Sequence, residues 1–434
     1  MTSLRLFFLV TLVAALVLAA PAPARRAPSA LKKRSFKVPR SLNKNHPRGL
    51  NGFDAMKKVA FKYNLASLKE GFIASTKTSD DMITADNKPK ITAAQNGTNG
   101  TGTVSANPED NAALFLSPVS VGGQTLNLDF DSGSSDLWVF STDLPAAATQ
   151  GHSAFDASKS STFKVMEGAQ FSISYGDGSG AAGTVGTDVV EIGGVSVQNQ
   201  AVELANAVSM SFVQDTNTDG LVGLAFSQLN TVNNGQKATP QKTFFDNVMG
   251  DLDQPVFTAD LDPDGTGTYE FGTIDQSKFT GAMAWVPVNA SSGFWQFDSA
   301  SFAVDGKVQK NPAASKAIAD TGTSLLLVDQ AVAEAYYSKV QGAQNNAQVG
   351  GFIYPCNAKL PDFAVAVGPD AMATIPGAAV TFATVDQANT TCFGGIQGNQ
   401  GAGLQIYGDT MFKAQFVAFN GGNQSLGFGA KPSI

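Results

Sequence analysis

The sequence has 434 residues, of which 43% are hydrophobic and 15% charged, and its formal net charge is −7. This length and apolar content allow a large buried core but exceed what one compact lobe holds. There is no His-Glu-x-x-His motif, which would indicate a zinc protease. A serine or cysteine hydrolase would need a catalytic histidine, and because His46 lies near the N-terminus, only His152 could serve. His152 is expected on a solvated loop, which argues against that role.

Residues 1–19 have the features of a secretory signal peptide. Arg5 precedes an apolar run from Leu6 to Leu18, and small residues follow. A transmembrane helix is the alternative, but the run is short and a basic polar segment comes next. No later stretch is long enough to span a bilayer, and the C-terminus lacks the hydrophobic tail of a lipid-anchor signal. The sequence therefore predicts a secreted, extracellular protein without a membrane partner.

Charge divides the chain into a basic segment and an acidic remainder. Residues 20–100 carry 16 Lys and Arg against 5 Asp and Glu, a net of +11, whereas residues 101–434 carry a net of −19. A basic tail can bind nucleic acid or membranes. In a secreted chain whose remainder is acidic, an intramolecular partner is favoured over either. Residues 20–98 are therefore predicted to be a propeptide with a processing linker, and no nucleic-acid partner is expected.

Two elements are predicted inside this basic segment. Residues 35–40 alternate apolar and basic side chains, as an added edge strand does. Residues 53–63 have helical periodicity, with Phe53, Met56, Ala60 and Tyr63 on one face. Residues 76–107 are polar and rich in Thr, Asn and Gly, which predicts a disordered linker. The mature chain is expected to start near residues 96–101.

The same local design occurs at two places in the remaining chain. Alternating Leu126, Leu128 and Phe130 predict a strand that delivers Asp131 into the turn Ser-Gly-Ser-Ser. One such carboxylate could simply form an Asx turn with its own backbone. However, the apolar run that ends at Ala319 delivers Asp320 into Thr-Gly-Thr-Ser, 189 residues later. Two coincident turns of this kind are hard to explain without a shared function.

After residue 114, short apolar runs punctuated by Gly, Asn and Asp predict a β-rich chain. Helices are predicted from Pro240 to Val248, capped by Thr239, and from Gln330 to Val340, capped by Asp329. Residues 171–180 predict a hairpin with a mobile Gly-Asp-Gly tip, although an ordinary hairpin with an exposed Tyr175 is an equal alternative. Residues 219–226 and 406–409 repeat an apolar-apolar-Gly element at similar distances after the two Asp loops.

Together, the two Asp loops resemble the two signatures of the pepsin-like aspartic proteases, in particular the secreted fungal type related to polyporopepsin and aspergillopepsin. The resemblance runs from about Leu114 to the C-terminus, and Ser132 stands where the family more often has threonine. It implies an all-β, bilobal fold with a few short helices and an N-terminal propeptide. Residues 99–288 would form the N-terminal lobe with Asp131 and the flap, and residues 289–434 the C-terminal lobe with Asp320 and a disulfide.

The resemblance also implies roles for individual residues. Asp131 and Asp320 would be the catalytic pair, and each loop glycine would let the two loops approach closely. The residues expected to support the pair are Ser132, Gly133, Ser134, Thr321, Gly322 and Thr323. The flap and substrate-binding candidates are Tyr175, Gly176, Asp177, Ser179, Trp138 and Phe212. Lys62 or Tyr63 of the basic helix would reach the pair, as in fungal pepsin-type prosegments.

Cys356 and Cys392 are the only cysteines, and a secreted chain with two cysteines most simply forms one bridge. They also lie where the family has its C-lobe disulfide. The expected protein is therefore a monomeric acid endopeptidase, made as a zymogen, that acts on proteins and peptides without a cofactor or metal. Glycosylation acceptors occur at Asn96, Asn99, Asn289, Asn389 and Asn423.

Two other classes of function are weighed against this one. A catalytically inactive pepsin-fold protein that binds or inhibits a partner is the main alternative, but such relatives usually lose an Asp, a loop Gly or the flap Tyr. All of these are present here. A two-carboxylate glycosidase is chemically feasible but would not need duplicated Asp loops.

Overall fold

The computed structural model describes residues 34–42, 52–63, 82–84, 115–175, 179–263, 266–313, 315–386 and 388–432. Strands dominate these ranges, and the predicted all-β, bilobal class is confirmed. The strands are β1 Phe36–Leu42, β2 Met82–Thr84, β3 Phe115–Val121, β4 Gln124–Asp131, β5 Leu137–Phe140, β6 Lys164–Ser174, β7 Gly180–Ile192, β8 Val195–Ser209, β9 Gly220–Gly223, β10 Val256–Leu261, β11 Gly267–Phe271, β12 Thr280–Pro287, β13 Gln296–Asp298, β14 Ser301–Val304, β15 Lys307–Lys310, β16 Lys316–Ala319, β17 Leu326–Val328, β18 Gln344–Asn346, β19 Gly351–Pro355, β20 Phe363–Ala366, β21 Met372–Ile375, β22 Thr381–Thr384, β23 Thr391–Gly394, β24 Ile396–Gly398, β25 Leu404–Tyr407, β26 Gln415–Asn420 and β27 Ser425–Ala430.

The helices in the described ranges are short. The α-helices are α1 Gly52–Lys62, α2 Met210–Gln214, α3 Phe244–Val248, α4 Gln330–Tyr337 and α5 Asp409–Phe412. Single 3₁₀ turns occupy Ala157–Lys159, Ser227–Leu229, Met249–Asp251, Gln276–Lys278, Ala290–Ser292 and Gly377–Ala379. No helix in the described part of the chain is long and apolar enough to cross a membrane.

One large sheet and three smaller sheets form the two lobes. The large sheet has the order β12-β27-β26-β10-β11-β1-β3-β4-β9-β5-β8-β7-β6, with β2 paired to β8. The smaller sheets, all in the C-terminal part, have the orders β13-β16-β25-β17-β24, β15-β14-β20-β21 and β18-β19-β23-β22. Alternating apolar side chains from these sheets, such as Leu126, Leu128 and Phe130 of β4, fill the cores.

The two Asp loops are built on the same strand arrangement. Strand β9 pairs in parallel with β4 and antiparallel with β5, so it lies between the strands on either side of the Asp131 loop. Strand β25 pairs in the same two ways with β16 and β17, on either side of the Asp320 loop. The repeated apolar elements noted in the sequence are these central strands. Each Asp therefore stands at the end of a buried strand whose position is fixed from both sides.

Two segments of the predicted propeptide, β1 and β2, join the large sheet. The predicted strand exists, but its edge position is wrong, because β1 pairs with β11 along Phe36–Arg40 and with β3 along Ser41–Leu42. The ring of Phe36 stacks on the ring of Phe271, with their centroids 4.7 Å apart. This contact explains why a strand of alternating apolar residues fits between β11 and β3. The linker prediction is wrong at β2, whose backbone pairs with residues 207–209 of β8. The signal peptide and the remaining linker lie outside the described residues.

Both predicted caps need correction. Helix α3 begins at Phe244 rather than Pro240, and its cap is Thr243, whose side chain accepts a hydrogen bond from the amide of Asp246. The amides of Thr239 and Gln241 instead bind Val232 and Asn230 of a neighbouring loop. These hydrogen bonds hold residues 239–241 against the neighbouring loop, and residues 239–243 are not helical.

At the second helix, Asp329 does occupy the cap position of α4, which ends at Tyr337 rather than Val340. Its side chain does not cap the helix. It accepts hydrogen bonds from Asn311, Ser315 and Asn399. The carboxylate therefore joins three segments of the C-terminal lobe.

The predicted disulfide is present. Cys356 and Cys392 are bonded, with their Cα atoms 5.0 Å apart. Residues 354 and 392 are paired across β19 and β23, so the bridge closes a hairpin-like part of one C-terminal sheet.

Candidate active site

The two loop aspartates face each other in the interior. Asp131 and Asp320 are 1% and 0% exposed. Oδ1 of each accepts a hydrogen bond from its own loop glycine, the amide of Gly133 at 2.8 Å and that of Gly322 at 3.0 Å. A Cβ atom at Gly133 would overlap Asp320 Oδ1, and one at Gly322 would overlap Asp131 Oδ1. Only glycine therefore allows the two carboxyl groups to approach this closely.

The hydroxyl groups that follow each Asp hold the two loops together. The Ser132 amide donates to Thr321 Oγ1 at 3.1 Å, and the Thr321 amide donates to Ser132 Oγ at 2.9 Å. Each hydroxyl then donates onward across the interface, Ser132 to the carbonyl of Ala319 and Thr321 to that of Phe130. Because every buried donor here has an acceptor on the opposite loop, the relative position of the two carboxyl groups is rigid.

The outer oxygens are also bound symmetrically. Ser134 Oγ donates to Asp131 Oδ2 at 2.7 Å, and Thr323 Oγ1 donates to Asp320 Oδ2. All six residues predicted to support the pair therefore touch it or join its loops. Among the described residues, no group of His, Cys, Asp or Glu side chains could hold a metal ion.

The basic helix places a cation on the pair. Lys62 Nζ lies 2.7 Å from Asp131 Oδ1 and 3.1 Å from both carboxylate oxygens of Asp320. Tyr63 Oη donates to Asp320 Oδ2 at 2.6 Å. The lysine side chain is 5% exposed. The sequence predicted that either Lys62 or Tyr63 would reach the aspartate pair, and both residues contact it.

The apolar face of α1 holds these contacts in place. Its buried residues Met56, Val59 and Ala60 pack against strands of the C-terminal lobe, including Ile318, which lies two residues before Asp320. Phe53 and Tyr63 lie at the margin of the same cluster, as the predicted helical face requires.

Burial and the charge of Lys62 have opposite effects on the pKa of each carboxyl group: burial raises it and Lys62 lowers it. Burial raises the pKa of Asp131, and the charge of Lys62 opposes this rise only in part. Burial also acts to raise the pKa of Asp320, but Lys62 and hydrogen bonds from Asp131, Thr323 and Tyr63 outweigh it and hold that pKa below its ordinary value. The pair therefore favours one proton on Asp131 and an ionised Asp320 while Lys62 is bound.

Tyr175, the predicted flap tyrosine, is enclosed by aromatic side chains. Trp138 Nε1 donates to Tyr175 Oη at 2.7 Å, and the ring of Phe212 lies 5.0 Å from Trp138 and 5.7 Å from Tyr175. Tyr175 is 4% exposed, so the alternative of an exposed aromatic is wrong. Its amide donates to the carbonyl of Ser179 across the hairpin. Gly176 and Asp177 lie outside the described residues.

His152 does not lie on a solvated loop as expected. Its ring is partly buried and stacks on Phe140 at 3.9 Å. Its Nδ1 and Nε2 face the carbonyl oxygens of Thr218 and Val213. Both ring nitrogens are thus engaged by the backbone, and the histidine acts as a packing residue.

Two buried acids next to the Asp131 loop were not predicted from the sequence. Asp136 and Glu203 are each 1% exposed. The only signal for Asp136 is its position directly after the Asp131 loop. The only signal for Glu203 is a single charge within the apolar run 201–205.

The chain was compared with known proteins. The family model for eukaryotic aspartyl protease matches residues 115–431. The chain belongs to this family. It is 48% identical over 438 residues to an aspergillopepsin A-like aspartic endopeptidase of Aspergillus fumigatus, covering 98% of this chain and 99% of the relative.

Shorter alignments link this aspartyl protease to other fungal members. It is 49% identical to penicillopepsin-1 of Penicillium rubens, over 76% of this chain and 81% of the relative. It is 47% identical to endothiapepsin of Cryphonectria parasitica, over 78% of this chain and 82% of the relative. The predicted family and enzyme class, an aspartic-type endopeptidase, are thereby confirmed.

Proposed function

We propose that this aspartyl protease is a secreted acid endopeptidase in which Asp131 and Asp320 act together as general acid and general base. The observation that carries the proposal is the pair of buried carboxyl groups that face each other across two loop glycines. Like charges this close cannot both ionise, so the pair holds one shared proton, which is the established behaviour of this family's dyad.

The shared proton supplies both halves of peptide hydrolysis. The ionised carboxylate removes a proton from a water molecule as its oxygen attacks the scissile carbonyl carbon, while the protonated carboxyl donates its proton to the carbonyl oxygen. The tetrahedral intermediate then collapses. One of its hydroxyl groups returns a proton to the now ionised carboxyl group as the C–N bond breaks, and the amine leaves with the proton held by the other carboxyl group, so the pair again holds one shared proton. Because Ser134 and Thr323 donate to the outer oxygens, each inner oxygen keeps only its glycine amide donor once Lys62 has left and can take part in this exchange.

The flap and its neighbours would bind the substrate. Closure of the hairpin that carries Tyr175 would exclude water from the reacting atoms. The apolar ring of Phe212 supports a preference for a large apolar residue before the scissile bond. In fungal relatives with the Tyr-Gly-Asp-Gly-Ser pattern, the Asp is associated with accepting lysine at that position, and we assign this role to Asp177, assisted by Ser179.

The chain would be made as a zymogen. Residues 1–19 would direct secretion, and residues 20–98 would be removed in acid. The buried contacts of Lys62 and Tyr63 with the dyad support this proposal, because substrate cannot occupy the same space. The mature enzyme would be a monomer with lobes at residues 99–288 and 289–434, and its partners would be protein and peptide substrates and its own propeptide.

The test is the Asp131→Asn variant of the full chain. Wild-type protein, purified at neutral pH and acidified, should lose its N-terminal segment and cleave an unrelated protein substrate. The variant should do neither, with a loss of activity of about 10²-fold or more. Equal cleavage by the two proteins would refute the dyad. An inactive wild type with an intact fold would favour a binding or inhibitory protein instead.

A further inference from the structure

Asp136 and Glu203 form a second pair of buried acids, next to the Asp131 loop. Asp136 lies between that loop and β5. Glu203 lies on β8, in register with Trp138 of β5. Neither forms an ion pair with lysine or arginine in the described part of the chain, although an unpaired buried charge is costly.

In each acid, one carboxyl oxygen has donors and the other has none. Asp136 Oδ1 accepts from the amide and hydroxyl of Thr231 at 2.9 and 2.8 Å, and Glu203 Oε1 accepts from Asn230 Nδ2 at 2.8 Å. Asp136 Oδ2 and Glu203 Oε2 are buried and have no hydrogen-bond partner among the described residues. A single proton between these two oxygens would satisfy both.

We propose that Asp136 and Glu203 share one proton and that this acid pair is a positioning device for the Asp131 loop, intact only while the proton is bound. The part of the inference that concerns Asp131 rests on the catalytic role proposed above. The shared proton itself does not depend on that role.

The backbone connects the acid pair to the loop. The carbonyl of Asp136 accepts from the amide of Gly223 at 2.8 Å, in the strand that pairs with β4. Asn230 Nδ2, which binds Glu203, also lies 3.2 Å from the carbonyl of Ser135. A change in the acid pair therefore reaches the end of the Asp131 loop directly.

The acid pair also lies close to the flap contact. Glu203 is paired across the sheet with Trp138, whose indole N–H donates to Tyr175. Among the described residues, the titratable neighbours are thus Asp131 on the loop and Tyr175 on the flap. The charge of Asp131 acts to raise the pKa of Asp136, and the charge of Glu203 acts to raise that of Tyr175. These facing groups are acids, so neither can neutralise a charge on the pair.

The direction of the pH dependence follows from burial. Burial raises the pKa of Glu203 well above its ordinary value, and Asp136 raises it further. Burial likewise raises the pKa of Asp136, against hydrogen bonds that act to lower it. A native state that binds a proton more tightly than the unfolded chain loses stability as pH rises from the unfolded pKa toward the native one. The stabilisation is therefore complete below the unfolded pKa and is lost as pH rises through the raised native pKa.

The decisive variant is Glu203→Gln, because its amide N–H can donate to Asp136 Oδ2 at every pH. Full-length protein is acidified, and the product is brought to a series of pH values between about 4 and 8. Unfolding is followed by tryptophan fluorescence and the alkaline limb of kcat/KM by peptide cleavage. The midpoint of unfolding should move upward by about one pH unit or more, and the alkaline limb of kcat/KM should move with it. The infrared band that the proton of the Asp136–Glu203 pair contributes should disappear, while the band of the dyad's shared proton should remain.

Asp136→Asn provides the reciprocal variant, since its amide can donate to Glu203 Oε2. Glu191→Gln, at an exposed position of β7, is the matched control for losing one glutamate charge and should leave the midpoint unchanged. Midpoints equal to the control in both amide variants, or failure of both to fold in acid, would overturn the proposal. Fluorescence and infrared spectra need no catalysis, so an active Asp131→Asn enzyme would refute the dyad while leaving the acid pair standing.

Discussion

Replacing Lys62 with methionine should release the active site without acid. Methionine keeps an apolar stem but removes the cation that lies 2.7 Å from Asp131 and 3.1 Å from Asp320. Breaking a buried ion pair by removing one partner costs about 3–5 kcal/mol. Since 1.4 kcal/mol is a factor of ten, docking of the basic helix should weaken by about 10²- to 4 × 10³-fold.

The sign of the pH effect follows from Asp320. Burial alone would raise its pKa, but Lys62 is the largest of the effects that hold the docked pKa below its ordinary value. This contribution to docking is present above the unpaired pKa of about 4 and is lost as pH falls through the depressed one. Without Lys62 the depression shrinks, so release should begin at a higher pH than in the wild type.

The assay measures hydrolysis of a quenched fluorescent peptide by the unprocessed precursor, together with its mass, at stepwise lower pH. The matched control is Lys57→Met, which removes the same charge from the same helix. Lys62→Met should cleave peptide at a pH where wild type and control are silent. Tyr63→Phe, which loses the hydrogen bond to Asp320, should lie between them. If Lys62→Met behaves like Lys57→Met, the contact seen on the dyad is not what inhibits the precursor.

Three further predictions test the flap, the specificity and the disulfide. Trp138→Phe removes the indole hydrogen bond to the flap tyrosine, worth about 0.5–1.5 kcal/mol, so kcat/KM should fall by up to about tenfold with an unchanged circular dichroism spectrum. Asp177→Ser should reduce cleavage after lysine much more than cleavage after leucine in matched peptides, and an equal relative loss would contradict the assignment. Replacing both Cys356 and Cys392 with alanine should lower the free energy of unfolding by roughly 4 kcal/mol, from the loop-entropy relation for a separation of 36 residues, as measured by urea denaturation.

The central part of the site was predictable because its motif occurs twice in the sequence. An apolar strand that ends in Asp-Ser/Thr-Gly is ambiguous alone, but its repetition at Asp131 and Asp320 removes the ambiguity. The strands that thread between β4 and β5 and between β16 and β17 were predictable for the same reason. The charge of residues 20–100 was enough to indicate an intramolecular partner for this basic segment. The periodicity of residues 53–63 identified the helix face that packs against the C-terminal lobe.

Local patterns failed where another segment competes for the same atoms. Thr239 and Pro240 have the right types to begin a helix. Hydrogen bonds from the amides of Thr239 and Gln241 hold that stretch against the loop at residues 230–232 instead, and the helix starts at Phe244. Asp329 has the right position for a cap, yet three polar side chains from elsewhere in the lobe occupy its oxygens. These partners are distant in sequence, and no local signal contains them.

The acid pair shows the same limit at a functional site. In sequence, Glu203 interrupts an apolar run, as any outward-facing residue of a half-buried strand does. It is buried because β8 pairs in parallel with β5 on one side and antiparallel with β7 on the other, inside a sheet covered on both faces. That placement brings it to Asp136, 67 residues earlier in the chain. The dyad can be read from its repeated motif, whereas the pair that we propose to steady it exists only through topology. Its proposed dependence on acid therefore becomes visible only when both carboxyl groups are seen to lack a cation in the described part of the chain.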